Sequence, residues 1–262
     1  MTASTTSLSL TRVAHSTTLI TIGEQVILTD PWFSEKWGYY HGEPYGVTLD
    51  QLPRLAAVIV SHGHYDHYDM QAFKAYPDKA VPMFVKRGIA KAARGVGFTN
   101  VTEMDAWETA TIGPLTLTAA PGKHAVPEIT YIIAGEGRTV YFGGDTLLIP
   151  ELKTIAERFP QIDLAILAVN GLILRPLLNR QVVMNAEEAA ELCAILKPRY
   201  AVPSHYAFTG GPIQDHLLLK YSGTAEAFAA AVARRAPQTI ARVLAPGEPL
   251  VIPVASAVET FN

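Results

Sequence analysis

The 262-residue sequence has little cysteine, no excess of basic charge and no long apolar run. Its one cysteine, Cys193, excludes a disulfide within the chain and fits a reducing compartment. Lys and Arg number 21 against 24 Asp and Glu, so the composition offers no basic surface for nucleic acid or for an anionic membrane. Because no apolar run approaches the roughly 18 residues of a membrane span, we expect no stable membrane anchoring.

The chain is otherwise typical of a globular protein. Residues 1–9 are rich in Ser and Thr and lack the basic and apolar regions of a secretory signal, so we expect a cytoplasmic location. Hydrophobic residues make up 49% of the sequence, which is enough for a sizeable core. No repeat or low-complexity linker divides the chain, and we predict a single α/β domain over residues 1–262.

Apolar periodicity predicts mostly strands in the first half and alternating helix and strand in the second. The predicted strands cover residues 7–13, 17–22, 25–29, 55–60, 81–85, 109–112, 115–119, 130–134, 139–142, 164–169, 200–203 and 242–252. The predicted helices cover residues 69–75, 88–94, 150–158, 186–196 and 224–235. The stretch 32–49 is aromatic, contains Gly and Pro and has no period, so we predict a long loop there.

Candidate metal ligands follow the apolar run 55–60 directly. Residues 61–67 have the sequence S-H-G-H-Y-D-H, which places three His and one Asp within six residues. On an extended backbone His62 and His64 point to the same side, and Asp66 and His67 come after the turn. Imidazole and carboxylate are the ligands that zinc and its neighbours prefer. The alternative, a set of solvated loop histidines, is disfavoured because polar groups at the end of a core strand need a partner.

Three more candidates lie far along the chain, namely His124, Asp145 and His205. Each follows a predicted strand and a Gly or Pro, and sites in layered α/β folds collect where strands end in loops. Each one alone is also compatible with a turn Asp or a surface His. The remaining histidines lack this context. We expect His216 at the surface, His15 as a core residue in a strand, and His41 in the aromatic loop, where it could face a substrate.

The pattern His-x-His-x-Asp-His, followed by a later His, Gly144-Asp145-Thr146 and a final His, resembles the metallo-β-lactamase-fold hydrolases. The resemblance runs from His15 to about Gly247. Within that group the chain looks closest to the branch with ascorbate-6-phosphate lactonases and N-acyl-phosphatidylethanolamine phospholipase D enzymes. The stretches that carry this closeness are Ala14-His15-Ser16, Thr29-Asp30-Pro31-Trp32-Phe33, Ala186-Glu187-Glu188-Ala189 and Val202-Pro203-Ser204-His205-Tyr206.

This resemblance implies a four-layered αββα sandwich with two divalent metal ions at one edge of its sheets. By motif, the first ion would be held by His62, His64 and His124, and the second by Asp66, His67 and His205. Asp145 would bridge both ions. Asp30 would orient a ligand histidine, although a simple turn at the end of a strand explains it as well. Histidine-rich ligation suits zinc best, and manganese, iron and nickel stay open.

The implied activity is that of a binuclear metal-dependent hydrolase, in which a metal-bridging hydroxide attacks a small ester, lactone or phosphoester. Asp66 would pass a proton to the leaving group. One alternative is a phosphodiesterase for a lipid-like or nucleotide-like substrate, and another is a non-catalytic metal-binding module on the same fold. We expect a small-molecule substrate to contact Trp32, His41, Lys123 and Arg175. The apolar stretch 171–178 is a pocket wall, a lid or the interface of a homo-oligomer.

Overall fold

The computed structural model describes residues 6–253; residues 1–5 and 254–262, which belong to the predicted domain, lie outside the described part. The strands are β1 (Leu8–Ala14), β2 (Thr17–Ile22), β3 (Gln25–Thr29), β4 (Tyr40–His41), β5 (Ala57–Val60), β6 (Met83–Lys86), β7 (Val101–Met104), β8 (Thr109–Ile112), β9 (Leu115–Pro121), β10 (Ile129–Gly135), β11 (Arg138–Phe142), β12 (Leu164–Ala168), β13 (Ile173–Leu174), β14 (Arg180–Gln181), β15 (Tyr200–Ser204), β16 (Phe208–Thr209), β17 (Leu219–Lys220), β18 (Ile240–Ala241) and β19 (Pro249–Ile252). The helices are α1 (Met70–Phe73), α2 (Ala90–Gly95), α3 (Lys153–Arg158), α4 (Ala186–Leu196), α5 (Pro212–Leu217) and α6 (Ala225–Arg235). Short 3₁₀ turns cover Leu49–Gln51, Pro150–Leu152 and Arg175–Leu177.

Two seven-stranded sheets form the centre of the described structure. The first has the order β19-β1-β2-β3-β5-β6-β7 and is parallel from β3 to β7. The second has the order β18-β15-β12-β11-β10-β9-β8 and is parallel from β11 to β18. Two small sheets, β14-β13-β17 and β16-β4, lie outside them.

The sheets and helices stack in four layers, which confirms the predicted αββα sandwich. One hydrophobic cluster joins the facing sides of the sheets, with Ile59 from the first and Ile166 from the second. The outer side of the first sheet packs against α1 and α2. The outer side of the second sheet packs against α3, α4 and α6. The sequence of β5 is continuously apolar because alternate residues enter the central cluster and the outer one.

Local hydrogen bonds explain where helix α4 begins. Helix α4 begins after Asn185, whose side chain accepts from the backbone N–H groups of Glu187 and Glu188, while the Asn185 N–H donates to Oε2 of Glu188. This capping box satisfies donors that a helix start otherwise leaves free. The bounds of β2, β3 and α4 agree with the sequence-based prediction.

Other predictions were wrong or incomplete. The predicted loop 32–49 contains β4, and the predicted strand 242–252 is reduced to β19 at Pro249–Ile252. His15 does not lie in a strand, because β1 ends at Ala14 and His15 turns the chain with a φ of 50°. Strand β7, helix α5 and the two-residue strands had not been predicted. Within residues 6–253 no helix combines the length and apolar character needed to cross a membrane.

Candidate metal centre

The run 61–67 brings its ligands together by a turn directly after β5. The backbone N–H groups of His67 and Tyr68 donate to the carbonyl of His64, at 3.1 and 2.8 Å, and so fold the chain back. His62 Nε2 lies 2.9 Å from His64 Nδ1, and His64 Nδ1 lies 3.1 Å from His124 Nε2. These three nitrogens converge on one point and form the first group able to hold a metal ion.

The second group contains Asp66, His67 and His205. Asp66 Oδ2 lies 3.7 Å from Nε2 of His67 and 3.7 Å from Nε2 of His205. All three side chains are buried, and His205 follows directly after β15. Each group combines residues from both sheets, since the 61–67 run follows β5 of the first sheet, whereas His124 and His205 follow β9 and β15 of the second.

Asp145 lies between the two groups. Its Oδ2 atom is 2.8 Å from His205 Nε2 and 3.2 Å from His67 Nε2, and it is 3.8 Å from His124 Nε2 and 4.0 Å from His62 Nε2. The loops that carry Asp145 and His124 are tied together, because the Lys123 N–H donates to Thr146 Oγ1. The structure thus brings together all seven residues of the predicted ligand set.

Asp30 lies beneath the centre and is fully buried. Its Oδ1 accepts from the Ser61 N–H, and its Oδ2 accepts from Ser61 Oγ and from His67 Nδ1, each at 2.7 Å. Because the His67 Nδ1 proton is held there, Nε2 is the nitrogen of His67 that faces the second group and would bind a metal ion. This is the orienting position predicted for Asp30.

Two other histidines are fixed in the same way. Ser61 Oγ donates its proton to Asp30 and therefore accepts from His62 Nδ1, at 2.9 Å. His124 Nδ1 donates to the carbonyl of Val182, at 2.7 Å. Both rings consequently present an Nε2 lone pair to the first group. Burial lowers the pKa of His62 to about 3 and that of His124 to about 4, which keeps both imidazoles neutral.

Glu128 is a buried acid of the centre that the sequence reasoning missed. Its Oε1 accepts from the Asp145 N–H at 2.6 Å and lies 3.5 Å from His62 Nδ1. Burial raises the pKa of Glu128 to about 8. The neighbouring Gly144 has a φ of 52°, and a Cβ there would lie 2.6 Å from Glu128 Oε1, so only glycine leaves room for the carboxylate. The available sequence signal was an acid directly before an apolar strand.

The donor set fits divalent cations. Four acidic side chains are buried together, and within the described residues no Lys or Arg forms an ion pair with any of them; they are Asp30, Asp66, Glu128 and Asp145. Nε2 of His67 and Nε2 of His205 make no hydrogen bond to any residue in 6–253, although each lies within 3.2 Å of Asp145 Oδ2. Burial opposes a charge on His67, but Asp145, Asp66 and Asp30 raise its pKa well above the usual value. The site therefore stabilises positive charge, and buried acids of this kind need cations as partners.

His15 joins the second group, contrary to its predicted place in a strand. Its ring is fully buried, stands 4.1 Å from the His205 ring and has Nε2 3.5 Å from Asp66 Oδ2. Neither ring nitrogen forms a hydrogen bond within the described part of the chain. His15, Asp66, His67 and His205 together form a set able to hold a metal ion.

A cavity of about 200 Å³ opens in front of the centre. On one side it is lined by ligand residues, namely His64, Asp66, His124, Asp145 and His205. On the other side it is lined mainly by apolar residues, namely Tyr39, Leu172, Leu174, Val182, Phe208 and Leu219. The stretch 171–178 thus contributes to the pocket wall through two leucines.

The four predicted substrate contacts lie outside this lining. Trp32 is fully buried and stacks on His41, with ring centroids 3.5 Å apart. Lys123 is exposed, and Arg175 donates through Nε to the carbonyl of Leu219. Tyr39, from the same loop region as Trp32, lines the cavity instead, together with Phe208.

Comparisons with known proteins agree with this geometry. The family profile described as Beta-lactamase superfamily domain matches residues 25–206. A UPF0173 metal-dependent hydrolase of Deinococcus radiodurans is 29% identical over 221 residues, which cover 78% of this chain and 88% of that protein. Igni18, a novel metallo hydrolase from Ignicoccus hospitalis, matches with a TM-score of 0.73 and 22% identity over 94% of this chain and 98% of that one. The isothiocyanate hydrolase from Delia radicum gut bacteria has a TM-score of 0.74 and 20% identity, covering 92% and 98%. These two structures share the fold.

Proposed function

The chain belongs to the Beta-lactamase superfamily domain family, and from this membership we propose that it is a hydrolase dependent on two divalent metal ions. The similarity to a metal-dependent hydrolase over 78% of the chain supports the enzymatic part of the proposal. The observation that carries the two-ion part is the position of Asp145 Oδ2, which lies within 4.0 Å of nitrogens in both groups.

The position of each ligand residue suggests which ion it would hold. His62, His64 and His124 would hold one ion, Asp66, His67 and His205 the other, and Asp145 both. Divalent ions bound there supply Lewis-acid polarisation of a carbonyl or phosphoryl oxygen and lower the pKa of water. Zinc suits the nitrogen-rich donor set best.

Asp66 is placed for proton transfer, because its carboxylate both belongs to the second group and lines the cavity. Burial opposes its ionisation, but His67, His15 and His205 hold the pKa of Asp66 well below the usual value. As a carboxylate, Asp66 accepts a proton from the attacking water and returns it to the leaving atom of the substrate.

The reaction class is hydrolysis of a small ester, lactone or phosphoester. The resemblance to lactonases and phospholipases of the same fold supports lactones and phosphodiesters as test substrates. A small molecule fits the 200 Å³ cavity, and the net charge of −3 gives no support for nucleic acid as a partner. The buried, unpaired Cys193 supports a cytoplasmic location.

The test is a metal analysis combined with a substrate panel, after reconstitution with Zn²⁺ and separately with Mn²⁺. The panel contains para-nitrophenyl butyrate, an alkyl-substituted lactone, bis(para-nitrophenyl) phosphate and an aryl isothiocyanate. We expect two ions per chain and turnover of at least one compound. His64→Ala should abolish turnover, and His216→Ala, at an exposed histidine of α5, should leave it unchanged.

Two results would contradict the proposal. Protein that takes up no metal ion, or turnover that persists in His64→Ala, would exclude metal-dependent hydrolysis at this site. Two bound ions without turnover of any compound class would instead favour the metal-binding module as the function.

A further inference from the structure

The cavity in front of the metal centre differs in character on its two sides. The side opposite the ligands consists mainly of apolar side chains, with Leu172 and Leu174 from the stretch before the 3₁₀ turn and Leu219 from β17. Phe208 and Tyr39 complete this wall with their rings in edge contact, 5.6 Å apart. A substrate that reaches the ligands must therefore place its remaining part against an apolar surface.

No Lys or Arg side chain lines the cavity in the part of the chain that the structure describes. The nearby cations are directed elsewhere. Lys123 is exposed, and Arg175 is held by the carbonyl of Leu219. Lys36 lies over the rings of Tyr39 and Tyr65, at 4.8 and 3.8 Å from their centroids. A phosphate or carboxylate on the far end of a substrate would find no Lys or Arg partner here.

The charges below the cavity disfavour such an anion further. The centre already holds three buried aspartates, Asp30, Asp66 and Asp145, and their charges offset most of the charge of two divalent cations. A substrate carrying an additional anionic group would bring that charge beside an apolar wall without compensation, which is costly. An uncharged substituent meets no such penalty and buries apolar surface instead.

One neutral polar group faces the same space. Gln214, from α5, lines the cavity beside the apolar wall, and its side-chain amide has no hydrogen bond within residues 6–253. An amide both donates and accepts, so it suits an uncharged carbonyl, ether or hydroxyl group. The cavity volume indicates the size of the substituent, because a protein cavity of roughly 150 Å³ accommodates a benzene ring.

We propose that the enzyme acts on uncharged substrates with a small apolar substituent, a single ring or a short alkyl chain, and that it discriminates against those with an anionic tail. This inference rests on the proposed hydrolase function and names its substrate class. It predicts that a lactone bearing a phosphate is a poor substrate and that the same lactone bearing an alkyl group is a good one.

Binding of two hydroxamates tests the inference without turnover. Hexanohydroxamic acid and the monohydroxamate of adipic acid carry the same metal-binding group and differ only at the far end, in methyl against carboxylate. With zinc-loaded protein, calorimetry should show the methyl compound bound more tightly by about tenfold or more. The same preference should appear in kcat/KM for para-nitrophenyl butyrate against para-nitrophenyl hemisuccinate.

Variants that insert a charge test whether the apolar wall causes the preference for the methyl compound. Leu174→Arg places a cation in the wall and should abolish or reverse the preference for the methyl compound. Leu178→Arg is the matched control, since Leu178 is 97% exposed and does not line the cavity. Leu219→Lys replaces Leu174→Arg if that variant fails to fold.

The outcomes separate the two proposals. Equal affinity for both hydroxamates, or tighter binding of the carboxylate, overturns the inference about the substrate class. A methyl preference without turnover of any compound in the panel supports the preference of the cavity for uncharged ligands and overturns the hydrolase proposal. Protein that takes up no metal ion overturns both.

Discussion

Replacing Asp30 with Asn removes the anion on which three donors of the metal centre converge. The Ser61 N–H, Ser61 Oγ and His67 Nδ1 all donate to this carboxylate at 2.7 Å. An Asn side chain presents one oxygen and one NH₂ group, so in either orientation the NH₂ group faces a donor. If it faces His67, the imidazole must move its proton to Nε2, and the lone pair that would bind metal is lost.

The magnitude follows from these contacts. Hydrogen bonds to a charged group contribute roughly 1.5–3 kcal/mol each, and Asn retains the weaker, neutral version of one or two. We expect the free energy of unfolding of metal-free protein to fall by about 2–3 kcal/mol. Metal affinity should fall by about 10- to 100-fold, as for other groups that orient a ligand histidine.

Calorimetric titration of chelated, metal-free protein with Zn²⁺ measures the second quantity, and urea unfolding measures the first. Asp50→Asn serves as the control, because Asp50 is a solvent-exposed carboxylate in the first 3₁₀ turn. A natively folded Asp30→Asn protein whose zinc affinity stays within about threefold of wild type would refute the reasoning, since it would show that the bond to His67 does not orient the ligand.

Three further predictions concern the same centre. Chelation should lower Tm by about 10 °C in scanning calorimetry, because metal at about a thousand times its Kd stabilises the native state by roughly 4 kcal/mol; an unchanged Tm would argue against bound metal. Glu128→Gln should weaken zinc binding by about tenfold in a chelator competition, whereas Glu191→Gln at an exposed position of α4 should not. Equal zinc affinities of the two variants would make Glu128 a packing residue only. His15→Phe keeps a ring against His205 but loses the nitrogen near Asp66, and it should reduce the affinity for the second ion by about tenfold; full occupancy by metal analysis would contradict this.

Much of the centre could be predicted because its residues follow strands whose apolar sequences are easy to recognise. The run 61–67 ends β5, Asp145 follows β11, and His205 follows β15, so a shared sheet edge brings them together. The fold class followed from the same motif. These predictions depend on the short-range order of residues in the sequence and require no knowledge of tertiary packing.

The remaining parts depend on contacts between distant segments. His15 follows an unremarkable strand, and only the turn at a φ of 50° directs its ring to Asp66. Glu128 precedes its strand, opposite to the pattern that marked the other residues. Lys123 and Arg175 were predicted to contact a substrate, but neither lines the cavity: Lys123 is exposed, and Arg175 donates to the carbonyl of Leu219.

The joining of the two sheets at one edge also affects how the protein folds and how long its native state lasts. The centre collects side chains from His15 to His205, and the His205 N–H donates to the carbonyl of His15 at 3.3 Å. Such a site exists only after both sheets have formed and closed on each other, because contacts such as that between His15 and His205 join distant parts of the chain. Metal ions would therefore act on the last step of folding and on the first step of unfolding. They would lengthen the lifetime of the native state and leave the early formation of each sheet unchanged.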